Sequence, residues 1–164
     1  MAISDYTSFE DVRAALGVSS DELDDTTLSL PLYEYSLKAR LREIDTTVTT
    51  VYATLTDVAP TSLTDSQKNL KEAVYLFSTY AVALQLTVSL PLFSPKEISD
   101  GKSMQSRYTQ DPYEVTIKMV TGQYEKFKKN LAVLFAAYIL SASATPVIRV
   151  YQLKSSPSYN PITG

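Results

Sequence analysis

No cysteine, histidine or tryptophan occurs in this 164-residue chain, and only four glycines do. Without cysteine and histidine there is no zinc finger, no Cys-His or Ser-His-Asp nucleophile system and no imidazole acid–base catalyst. What remains for chemistry is carboxylate, lysine or tyrosine. The glycines, Gly17, Gly101, Gly122 and Gly164, lie too far apart to form a phosphate cradle of the G-x-x-x-x-G-K-[ST] type. These absences rank an enzyme below a binding or structural protein, and neither a cofactor nor a metal is expected.

At 18.2 kDa the chain fits one domain that buries a real core without disulfides or a structural metal. Fifteen Lys and Arg against eighteen Asp and Glu give a net charge of -3, too balanced for a protein whose task is gripping free nucleic acid. The charge is unevenly placed. Residues 1–25 hold seven acids and one base, Arg13, whereas no acidic side chain follows Glu125 and Lys126, Lys128, Lys129, Arg149 and Lys154 do. Such a molecule suits head-to-tail stacking with its own copies, or orientation between two partners, because complementary potentials favour one docking direction. Plain solvated faces are the alternative.

The opening MAISDYTSFEDVRAALG has no basic n-region and no apolar h-region, so no secretory signal and cytosolic synthesis are expected. Ala73 to Pro95 is uncharged over twenty-three residues, long enough to cross a bilayer on count alone. It carries Ser78, Thr79, Gln85, Thr87 and Ser89, is broken by Pro91 and Pro95, and has mixed-charge flanks, which argues against a span. A helix apolar on most sides belongs inside protein, at the centre of a bundle or partly against a neighbouring subunit.

Thr7 or Ser8 is positioned to cap a first helix, with Thr7-x-x-Glu10 of capping-box form and Gly17 as its stop. After the acidic link SSDELDD, apolar residues at steps of three and four predict one long helix from Leu28 or Pro31 to about Leu55, its threonine-rich second half poor in helix propensity. Thr64-x-x-Gln67 is a second capping box, opening a helix that Pro91 ends. Residues 91–112 form a long loop with an Asp100-Gly101 turn. A fourth helix follows from about Tyr113 to Ser141, about 40 Å long, with Tyr113, Ile117, Val120, Tyr124, Phe127, Leu131, Leu134, Phe135 and Tyr138 on one side. Val147 to Leu153, VIRVYQL, reads as a strand whose partner is the 91–110 loop or another polypeptide. The expected fold is all-α: a small antiparallel bundle of about four helices over residues 1–145, with a C-terminal strand and tail arm over 146–164.

Chemical motifs are few. Asp21, Glu22, Asp24 and Asp25 lack the spacing of a calcium loop and read as an acidic helix start facing a positive dipole. Glu34, Glu43, Glu72, Glu114 and Glu125 lack the histidines that carboxylate sites in bundles use. Lys102, Arg107, Tyr108 and Tyr113 would suit base stacking, but twelve tyrosines, mostly at helical spacing, read more simply as rings on apolar helix faces.

The order of these pieces resembles a tailed-bacteriophage head-to-tail adaptor, the neck, connector or head completion protein. The likeness rests on the opening FEDVRAALGVSSDELDDTTLSLPLYEYSLKARLREI, the internal SPKEISDGKSMQSRYTQDPY, the tyrosine-containing last helix and the terminal strand. Its strongest parts are Asp21 to Glu34 and the loop Ser99 to Lys102 followed by Arg107-Tyr108 and Asp111-Pro112. The resemblance implies a structural protein of the virion with no enzymatic activity. It implies a homo-oligomeric ring of twelve copies beneath the portal protein, in contact with other neck or tail-completion proteins, with double-stranded DNA passing through the lumen and no membrane. On this reading Val147, Ile148, Arg149, Val150, Tyr151, Leu153 and Tyr159 bind the portal or a neck neighbour, with Arg149 and Tyr151 as anchors. Lys102, Arg107 and Tyr108 touch a neighbouring subunit or the DNA channel. A helical protein-binding module outside a virion is the alternative, and a carboxylate- or lysine-dependent enzyme comes last.

Overall fold

The computed structural model describes residues 2–87, 97–99, 104–106 and 112–143. Helix α1 (Phe9–Leu16) starts at Ser8, whose side chain accepts the Asp11 amide at 3.1 Å, and stops at Gly17, φ 72°, a left-handed conformation that a residue without Cβ takes freely. The Thr7–Glu10 box does not form. Thr7 is buried, and its hydroxyl lies 2.6 Å from Thr79 Oγ1, which donates its own proton to the Tyr75 carbonyl at 3.0 Å; Thr7 is therefore the donor.

The acidic link is more ordered than expected. Asp24 accepts the Thr27 amide at 2.8 Å and caps a single turn, α2 (Asp25–Leu28). Leu23 and Leu28 enter the core on either side of that cap. Arg13, buried on α1, ties the link down: its Nε donates to the Leu23 carbonyl at 2.7 Å and its guanidinium pairs with Asp25.

The single long helix expected from Leu28 or Pro31 to Leu55 is two. α3 (Pro31–Ile44) ends at Asp45, whose backbone is extended, and α4 (Val48–Thr56) begins after Thr47. The cause is local: Asp45 Oδ1 accepts both the Thr47 amide, at 2.8 Å, and the Thr47 hydroxyl, at 2.6 Å. A short side chain that takes the amide a continuing helix needs redirects the chain.

Helix α5 (Asp65–Leu86) has the expected box: Thr64 Oγ1 accepts the Gln67 amide and Gln67 Oε1 accepts the Thr64 amide. It is the central element, packed by α1, α3, α4 and the long α6 (Pro112–Ser143), and ten of its residues are buried. Tyr80 stacks on Phe127 while Asn69, one end along, shares a cleft with Leu134, so α5 and α6 run antiparallel. The described part of the uncharged stretch, residues 73–87, is thus packed within one chain. Among the described residues no helix is long and apolar enough to cross a membrane.

The structure is mostly helical. Within the segment read as a loop, β1 (Glu97–Ser99) and β2 (Met104–Ser106) pair antiparallel, Ile98 opposite Gln105. The C-terminal strand expected at 147–153 lies outside the described residues.

Candidate functional site

Helix α6 is apolar on two opposite sides. The inner side repeats at steps of three and four through Ile117, Val120, Tyr124, Phe127, Leu131, Leu134 and Tyr138, and from Val120 onward it packs on the core. Phe77 meets Tyr124 with ring centroids 5.4 Å apart, and the Arg40 guanidinium lies over the same Tyr124 ring at 5.2 Å. One turn on, Lys128 reaches across to Glu43 at 3.2 Å, and this hydrogen bond raises the lysine pKa above its ordinary value. The inner side therefore locks the rotation of the helix.

With the rotation fixed, a second repeat faces outward. Val115, Met119, Gly122, Lys126, Lys129, Val133, Ala136 and Leu140 follow at alternating steps of four and three, and all are exposed. Val133 and Leu140 are 69% and 73% exposed, where a solvent face would ordinarily carry charged residues. The strip is apolar at both ends and basic in the middle. Among the described residues neither Lys126 nor Lys129 has a carboxylate partner; Lys126 lies over the Phe127 ring at 5.7 Å.

A second apolar patch stands at the start of α3, where Leu30, Leu32 and Tyr35 are exposed, Tyr35 to 69%. It follows directly on the acidic segment. There Glu22 accepts the Ser19 amide and hydroxyl at 2.8 and 3.0 Å, and the backbone bond foremost holds its pKa below the usual carboxylate range. Asp24 is likewise lowered by its bonds to Thr27. Asp21, Glu22, Asp24 and Asp25 are all exposed, and they precede the patch in the chain by five to nine residues, counted to Leu30. Each of the last three is occupied by a neighbour in the chain, and among the described residues no group of three or more acidic side chains converges as metal ligands would.

Of the five glutamates Glu34, Glu43, Glu72, Glu114 and Glu125, three are in separate ion pairs. Glu34 pairs with Lys38, Glu114 with Lys118 at 2.6 Å, and Glu43 with Lys128. A cleft of about 350 Å³ lies between Tyr52, Pro60, Leu63 and α5, with Lys68, Lys71 and Glu72 at its edge. Its two phenols are already engaged, Tyr52 donating to the Asp5 carbonyl at 3.2 Å and Tyr75 to Asp11. The Tyr75 bond is the main cause of a lowered Asp11 pKa.

The residues expected to bind partners, Val147, Ile148, Arg149, Val150, Tyr151, Leu153 and Tyr159, lie outside the described residues, as do Lys102, Arg107 and Tyr108. The geometry brings forward a different set, the outer strip of α6 and the α3 patch, that one-sided reading of α6 passes over. The signal was present in the sequence as a second repeat of four and three, offset from the first. No family model, curated protein or solved structure matches this chain.

Proposed function

We propose that this chain is a ring-forming structural adaptor of a tailed-phage neck, seated between portal and tail, with double-stranded DNA passing through its lumen without sequence readout. The observation that carries the reading is the outer side of α6. On a helix about 48 Å long it exposes Val115 and Met119 toward one end and Val133 and Leu140 toward the other, where the solvent face of a monomer ordinarily carries polar side chains. Two further features support it: the acidic lead-in at residues 21–34 and the separation of negative from positive charge along the chain. In this arrangement residues 146–164 are the arm that reaches the portal or a neck neighbour, with Arg149 and Tyr151 as anchors. Lys102, Arg107 and Tyr108 face a neighbouring subunit or the DNA.

The test is the mass of the protein in solution by light scattering behind size exclusion, alone and with the cognate portal. The expected result is a closed species near twelve times the 18.2 kDa chain, or a portal-dependent shift that disappears when residues 146–164 are deleted. A chain that stays monomeric and ignores the portal overturns the adaptor and leaves a helical protein-binding module.

A further inference from the structure

We propose that the outer strip of α6 docks on the α2–α3 patch of a second copy of this chain, in a head-to-tail contact. The inference rests on the ring reading and names the surfaces that would build it. The two surfaces are matched in kind and opposite in charge. The strip offers Val115, Met119, Val133 and Leu140 around Lys126 and Lys129; the patch offers Leu30, Leu32 and Tyr35, preceded in the chain by the exposed Asp21, Glu22 and Asp24. Both are exposed in the single chain, so neither covers the other.

Charge also decides against the symmetric alternatives. The strip is nearly a mirror of itself about the point between Lys126 and Lys129, so an antiparallel pairing of two strips sets lysine against lysine. Pairing two α2–α3 patches sets acid against acid. Like charges brought together in a desolvated contact repel, whereas the strip-to-patch contact brings the lysines toward the acidic segment. A contact between two different surfaces leaves every copy with one of each still free. It therefore propagates, and closes into a ring when the rotation per copy divides a full turn.

Because the chain has no cysteine, single cysteines report the contact without background. Val133→Cys and Tyr35→Cys are made as separate proteins and treated with a short bis-maleimide, alone and mixed, at about 1 mM, where even a millimolar contact is substantially occupied. The exposed Thr50→Cys on α4 serves as the control position. The expected result is a V133C–Y35C dimer in the mixture, at least tenfold above the product of either protein alone and of mixtures with T50C. Products formed mainly within one preparation, or no excess over the control, overturn the proposal. A second pair, Val133→Asp with Leu140→Asp and Leu32→Asp with Tyr35→Asp, is read by sedimentation after circular dichroism shows both folded. Each is expected to be monomeric alone, and the mixture to stop at a one-to-one dimer, since only one strip and one patch survive; no dimer in the mixture overturns the proposal. Crosslinking without portal binding keeps this contact and removes the neck assignment, while portal binding without crosslinking does the reverse.

Discussion

Two adjacent hydroxyls on α5 sit in the same buried surroundings with opposite consequences. Thr79 is bonded on both sides, to Thr7 and to the Tyr75 carbonyl, whereas Ser78 Oγ is fully buried with no partner among the described residues. A buried polar atom without a partner keeps its desolvation cost, so Ser78→Ala is expected to raise stability by about 1 kcal/mol, helped by alanine's helix propensity. Thr79→Val, close in shape, is expected to lower it by about 1–3 kcal/mol because it strands the Thr7 hydroxyl. Urea unfolding of the two variants checks both signs. Arg13 makes a similar point about charge. Its Nε and terminal nitrogens reach Leu23 and Asp25 together, which a single ammonium cannot do, so Arg13→Lys is expected to cost about 1–3 kcal/mol, read in the same titration.

At the scale of elements, Gly122 is the exposed interruption of α6, and a Cβ there would meet nothing within 4 Å. Gly122→Ala is expected to raise the thermal midpoint of the monomer, by the equivalent of about 0.5–1 kcal/mol. The helices were legible where apolar spacing and end signals agreed, as at Ser8 to Gly17, Thr64 to Leu86 and along α6. They were misread where a side chain overrides the spacing: Asp45 takes the Thr47 amide and splits one periodic run into α3 and α4. The α2 turn was missed because four residues are too few for a period, and only its Asp24 cap announces it. For the candidate site, composition pointed away from catalysis, and the charge asymmetry was plain. Which side of α6 would stay uncovered was not, because it depends on the rotation that Phe77, Arg40 and Glu43 impose from elsewhere in the chain.

For the whole molecule, the missing histidine and cysteine leave no side chain with an ordinary pKa between the carboxylates and the tyrosines and lysines. Asp11, Glu22, Asp24, Glu34, Asp45 and Glu114 are all lowered, each chiefly by a hydrogen bond. A lowered carboxylate contributes stability that is present above its unfolded pKa and lost as pH falls through the folded one. Burial raises Tyr6 and Tyr52, whose rings stack at 5.2 Å, so their contribution is present below the ordinary tyrosine value and lost as pH rises through the folded one. The thermal midpoint is therefore expected to be flat from about pH 6 to 9, falling on the acid side below the ordinary carboxylate values and on the alkaline side above about pH 10. A bell with a slope near neutrality would contradict this account.

The central place of α5 sets a schedule for synthesis. Ile3, Tyr6 and Thr7 are buried in the fold, yet the largest contact of α5 is with α6, which ends 57 residues after Leu86. At about 5–20 residues per second the ribosome takes roughly 3–11 s to supply that cover. For that interval the nascent chain presents to the cell the apolar side of α5 that α6 later covers, the kind of transient exposure that chaperones meet.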